Sequence, residues 1–147
     1  MPVYMYAALE RLRTHLRTTG RFSGVTIGEP KAPPPGTTIH AAVFNGDQAV
    51  VSTTLVKTIE RRTAVIRLYR NMLEGNQEHI ERDIEAAAVD TLNLLFENFT
   101  LDVAGIRNVN PTEVTTRYGY VQIGTILHRV ADLSLSFTVD DSYTFAP

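Results

Sequence analysis

One long amphipathic segment constrains this chain more than anything else in it. Residues 76–99 read NQEHIERDIEAAAVDTLNLLFENF. At about 100° per residue, Ile80, Ile84, Ala87, Ala88, Thr91, Leu92, Leu94, Leu95 and Phe99 gather on one broad side, with Asp83, Asp90, Asn93 and Glu97 off it. Gly75 and Asn76 mark its start. The Asn side chain can accept from the free N–H groups of the first turn, and Glu78, Glu81 and Asp83 put negative charge where the helix dipole is positive. A helix of about 23 residues is roughly 35 Å long, so its apolar side requires a sheet or helix pair of similar breadth.

Length and composition limit what that partner can be. With 147 residues, of which 44% are hydrophobic, the chain can build one core, and residues 1–147 are expected to form a single domain. A net charge of -2 and a pI near 6.1 exert no general pull on nucleic acid. Cysteine is absent, which excludes disulfides, thiolate metal ligands and cysteine nucleophiles together. No apolar run is long enough to cross a bilayer, and the first residues lack the order of a signal peptide, so a protein made in the cytoplasm with no membrane partner is expected.

The segments around the long helix read mostly as strands. Residues 2–19 predict a short helix with the stripe Met5, Ala8, Leu9, Leu12 and Leu16, stopped at Gly20, with Arg11, Arg13 and Arg17 in solvent. Val25 and Ile27 form a short strand before EPKAPPPG at 29–36, a stiff connector whose three consecutive prolines cannot sit inside a sheet. Residues 37–44, TTIHAAVF, alternate as a strand that the turn signal Asn45-Gly46-Asp47 is expected to end. The Val- and Thr-rich run QAVVSTTLVKT at 48–58 has two readings of equal weight, a buried strand or an extended hairpin arm that packs on a neighbouring subunit. Residues 59–72 read as a long strand, with Ala64, Ile66 and Leu68 on one face and Val65, Arg67 and Tyr69 on a second face covered only in part. After the helix, Leu101 and Val103 open a further strand, RYGYVQIGTILHRV gives two pieces around Gly124, and ADLSLSFTV alternates strictly. The pattern predicts an α+β fold: a mainly antiparallel sheet with the long helix and the N-terminal helix packed on one face.

No reaction is written in the residues. His15, His40, His79 and His128 lack metal-ligand spacing, no serine sits in a strand-to-helix elbow, and no glycine run forms a phosphate loop. The acidic residues Glu78, Glu81, Asp83, Glu85 and Asp90 spread around the helix, which reads as a solvated face with Arg82 among them. The chain is expected to have no enzymatic activity, catalytic residue, metal or cofactor. Val89 and Phe96, seven apart and away from the main apolar side, form either a subunit contact or a second buried surface within the same domain, for example against the N-terminal helix.

The layout of short helix, Pro-rich connector, hairpin, long helix and closing sheet, with Tyr118-Gly119-Tyr120-Val121 in GYVQIG and Arg129 in HRVADLSLSFTV, resembles the tail terminator (tail completion) proteins of long-tailed bacteriophages. The similarity runs over nearly the whole chain and includes no catalytic signature. It implies a virion protein, made in the host cytoplasm, whose copies join in a ring, commonly a hexamer, at the head-proximal end of the tail tube. Its partners would be itself, the tail tube protein and the head-tail connector protein, with DNA passing through the ring without specific binding. On this reading Val50, Val51, Leu55 and Val56 in the arm, and Val89 and Phe96 on the helix, are the interface residues. The alternatives are another neck or tail component, such as a head-closure protein or a tube subunit, and a small α+β enzyme using His40 or His128.

Overall fold

The computed structural model describes residues 4–34, 38–53, 57–73, 75–98, 106 and 114–142. Helix α1 (Tyr6–Thr18) is followed by strands β1 (Gly24–Ile27), β2 (Ile39–Thr53) and β3 (Lys57–Asn71), helix α2 (Gln77–Asn98), and strands β4 (Thr115–Ile123) and β5 (Ile126–Ser142). The strands form one sheet in the order β1-β2-β3-β5-β4, antiparallel throughout except for the β1–β2 pair. Both helices lie on the same face, α1 over β1 and β2 and α2 over β3 and β5, so the α+β architecture is the expected one.

The core between the layers follows from side-chain period. Every residue of the α1 stripe is buried, and α2 contributes Ile84, Ala87, Ala88 and Leu95. The sheet answers with Ala64, Ile66 and Leu68 of β3 and with Leu133, Leu135, Phe137 and Val139 of β5, each set two residues apart as a pleated strand requires. Burying one such side chain contributes about 1.5–3 kcal/mol. The helix ends also match their chemistry: the His79 N–H donates to Asn76 Oδ1 at 2.9 Å, and the left-handed Gly20 (φ 66°) and Gly75 (φ 92°) stand just after α1 and just before α2.

Two expectations are corrected here. Asn45-Gly46-Asp47 does not end a strand: β2 continues to Thr53, absorbing the irregularity as a register shift between Asn45 and Gln48 and another between Val50 and Ser52. Tyr69, expected on a half-covered face, is fully buried. Glu81 and Asp83 pair with arginines of the sheet, Glu81 to Arg129 at 2.6 Å and Asp83 to Arg70 at 3.3 Å, and both carboxylates stay about half exposed on the solvated side expected of them. The strand expected from Leu101 lies outside the described residues, apart from Ile106, which bridges to Val139.

Candidate interaction surfaces

The strands are longer than the helices that cover them. Fifteen residues of β2 or β3 extend about 50 Å, whereas the 22 residues of α2 reach about 33 Å and the 13 of α1 about 20 Å. Strand β1 protects the outer edge of β2 only at residues 40–43. Beyond it every β2 residue from Asn45 to Thr53 is exposed, including Val50 at 61% and Val51 at 58%. The reading of this stretch as a buried strand is therefore wrong as far as Thr53: it is one side of a hairpin that overruns the helical layer. Strand β5 accompanies β3 to the Lys57–Ser142 pair, so the extension is three-stranded and β2 is its outer strand. Leu55 and Val56 lie outside the described residues.

A second apolar surface lies along α2. Val89 is 48% and Phe96 41% exposed, so neither is packed against α1, and the reading of them as a second buried surface is overturned. Their helical positions continue the line of Glu81 and Glu85. That line leads to β4: the Arg129 guanidinium, held by Glu81, stacks 4.5 Å from the Tyr120 ring centroid and 5.8 Å from that of Tyr118. Tyr118, Tyr120 and Leu127 are all more than 40% exposed. The Tyr118 phenol is shifted above its ordinary pKa by burial and by the carboxylates of Glu85 and Glu81. In the sequence these tyrosines belong to a strand and to the motif that carries the resemblance, and alternation shows that they share a face but not that their strand lies at a sheet edge.

The opposite face of the sheet is closed by polar contacts. Arg67 makes a two-pronged pair with Asp132, at 2.7 and 3.0 Å, accepts a further partner in Glu29 of the Pro-rich connector, and lies 5.2 Å above Phe44. The hydrogen bond to Asp132 raises the Arg67 pKa, so the cation is permanent. Asn71 Nδ2 donates to the Pro34 carbonyl, tying the same connector down over Tyr69. The Tyr69 ring meets His40 and His128 edge-on, at 6.0 and 6.1 Å between centroids, and burial followed by the Glu29 charge pushes its phenol up to about 12. His40 Nε2 lies 3.2 Å from Thr26 Oγ1, and His128 Nδ1 donates to the Ile126 carbonyl. Burial lowers the His40 pKa.

Both histidines named for an enzymatic reading are thus buried, packed against Tyr69 on this face of the sheet. The concavity of about 300 Å³ beside Tyr4 and Asp47, and that of about 470 Å³ beside Arg21 and Asp90, contain neither of them. Among the described residues no three His, Asp or Glu side chains come together in a way that could hold a metal ion. No family model matches the chain, and no curated protein matches it significantly.

Proposed function

We propose that this protein is a structural subunit of a bacteriophage virion, whose copies close into a ring on the head-proximal end of the tail tube. The ring ends tube polymerisation and offers its other side to the head-tail connector protein, and DNA passes through it without specific binding. One observation carries this reading: the outer strand of a β-extension, residues 45–53 of β2, runs exposed beyond β1 and displays Val50 and Val51, side chains that gain nothing from water. The likeness in element order to tail terminators agrees with it, as does a second apolar surface at Val89 and Phe96 on the long helix. A protein that works by contact needs surfaces of this kind rather than a convergent reactive cluster.

The test is complementation of the phage that encodes the chain. Tails made without the protein should be overlong and fail to join heads, and the wild-type chain should restore length and joining. Replacing Val50 and Val51 with Lys should leave circular dichroism unchanged and abolish that rescue. Normal tails from the double variant would refute the role of the extension. Electron microscopy separates this reading from a tube subunit, because a terminator forms one ring and a tube subunit forms long stacks.

A further inference from the structure

The two outermost strands of the sheet stand level with each other. Followed across the registers, Val25 of β1 is in line with Ala41, Leu68, Ala131 and Tyr118, and Ile27 with Val43, Ile66, Leu133 and Thr116. Strand β1 therefore occupies one edge, and residues 116–119 of β4 the other, at the same height along the strand axis. Their directions are opposite, since β1, β2 and β5 run one way and β3 and β4 the other. Turning a copy about an axis along the strands brings its β1 beside a neighbouring β4 in the antiparallel sense, with no shift along that axis.

The backbone groups fit the same register. The Gly28 N–H donates to the Val43 carbonyl, so Gly24 and Thr26 also turn to β2, and Val25 and Ile27 turn outward. The Met72 N–H donates to the Leu127 carbonyl, so odd-numbered residues of β5 face β3 and even-numbered ones face β4. Arg117 and Gly119, opposite Asp132 and Val130, are then bonded inward. Thr116 and Tyr118 point their N–H and C=O groups outward, with no strand partner among the described residues. Outward Val25 meets outward Tyr118, and outward Ile27 meets outward Thr116, at the register that the heights require.

The two flanks of the helical layer carry opposite charge. Arg17 Nη2 donates to the Val25 carbonyl at 3.1 Å, so the side of α1 that bears Arg13 and Arg17 looks toward the β1 edge. Arg13 Nε is buried with no hydrogen-bond partner among the described residues, and Glu10 is the only acid of α1. The side of α2 that looks toward β4 bears Glu81 and Glu85, whose carboxylates both act on the Tyr118 phenol. Arg129 pairs with Glu81 and leaves Glu85 without an ion pair among the described residues. Because Val25 and Tyr118 share a height, Arg17 of one copy arrives beside Glu85 of the next.

We propose that the β1 edge of one copy adds antiparallel to residues 116–119 of β4 in the next, with Arg13 and Arg17 of the first against Glu81 and Glu85 of the second; this rests on the ring reading above and names the contact that builds the ring. The two patches differ, so the contact is head to tail and able to close into a ring. An antiparallel β4–β4 seam would instead set two acidic flanks together and leave β1 bare.

The absence of cysteine allows a direct test. In this register Thr26 of one copy and Arg117 of the next form a non-hydrogen-bonded pair with Cα atoms about 4.5 Å apart, within reach of a disulfide. Thr26→Cys and Arg117→Cys chains are mixed, assembled on purified tail tubes and oxidised, and Ile27→Cys with Thr116→Cys repeats the test on the helix-bearing side. A linked species of about twice the 16.4 kDa chain mass should form in each mixture and be absent when either variant is used alone. Independently, Arg17→Glu and Glu85→Arg, both at exposed positions, should keep the wild-type circular dichroism and lower the fraction of ring-capped tails about tenfold or more, and the chain carrying both should restore it. Cross-linking of Arg117→Cys with itself, rings in which neither mixture cross-links, or no rescue by the double reversal would overturn the strand pairing and leave the ring standing. If the unmodified chain forms no ring on the tube end, the parent reading fails and this contact with it.

Discussion

Introducing a carboxylate at Val89 or Phe96 should separate assembly from folding. Val89 is 48% exposed in the single chain, so about half of its burial is already realised. Complete burial of a valine is worth about 2 kcal/mol, and Val89→Asp forfeits roughly 1 kcal/mol of that in the monomer. Glu85, one turn earlier on the same line, adds like-charge repulsion of about 0.2–0.5 kcal/mol. A loss of about 1.5 kcal/mol lowers the melting temperature of a chain this size by roughly 3–6 °C, small against a domain stability of about 5–15 kcal/mol. Phe96→Asp, from a larger ring 41% exposed, should cost the monomer about 2 kcal/mol. In the proposed ring the penalty would be greater, because a carboxylate without a partner is taken out of water at a cost of several kcal/mol and the remaining apolar gain of about 1 kcal/mol is forfeited. Each subunit contact should weaken by about a hundredfold or more, since about 1.4 kcal/mol is tenfold. Thermal melts followed by circular dichroism, beside electron microscopy of tail ends, read the two effects separately. Melting more than about 10 °C lower, or non-cooperative unfolding, would show that the stripe belongs to the core, and intact rings would show that it lies outside the contact.

Two further outcomes test the local physics of the subunit. Asn76→Ala removes the side-chain acceptor of the His79 N–H and should cost about 1 kcal/mol with α2 content unchanged; an unaltered urea midpoint would show that the cap contributes nothing. His40 has a pKa lowered by burial, so the unfolded chain takes up a proton before the folded one does, and its contribution to stability is present above about 6.5 and is lost as pH falls through the folded value. The urea midpoint of the wild type should then fall more steeply below about pH 6.5 than that of His40→Gln, and equal slopes would refute the linkage.

How much of this could be read in the sequence depended on whether a feature was periodic. The stripes of α1 and α2, the alternation of Leu133, Leu135, Phe137 and Val139, and the turn at Gly124 repeat over many residues, and each places the observed faces against the core. Asn45-Gly46-Asp47 misled because Gly46 is as compatible with a bulge as with a turn; an added Cβ there would meet Val65 Cγ2 at 3.1 Å, which explains the glycine without a chain reversal. Tyr69 was read as half-covered because its partners stand far off in sequence: Glu29, forty residues earlier, and the rings of His40 and His128. The exposure of Val89 and Phe96 was legible as an alternative, whereas Tyr118 and Tyr120 became surface residues only once β4 was known to be an edge strand.

That edge is bare because the helical layer is too small for the sheet. Five strands at about 4.8 Å spacing are roughly 24 Å wide, and two helices packed about 9 Å apart cover about 20 Å, which leaves one strand over. Helix α1 takes β1 and β2, α2 takes β3 and β5, and β4 is the remainder. Along the strand axis the same mismatch leaves residues 45–53 of β2 without a covering layer. A sequence whose only requirement was to remain a soluble monomer could place charges at both deficits with little effect on the core, since these positions touch little of it. This chain places Val50 and Val51 at one and Tyr118 and Tyr120 at the other, with one charge on each strand. Such choices reduce the solubility of a free subunit, and under the proposed function the uncovered margins of the sheet are where assembly would leave its mark on the sequence.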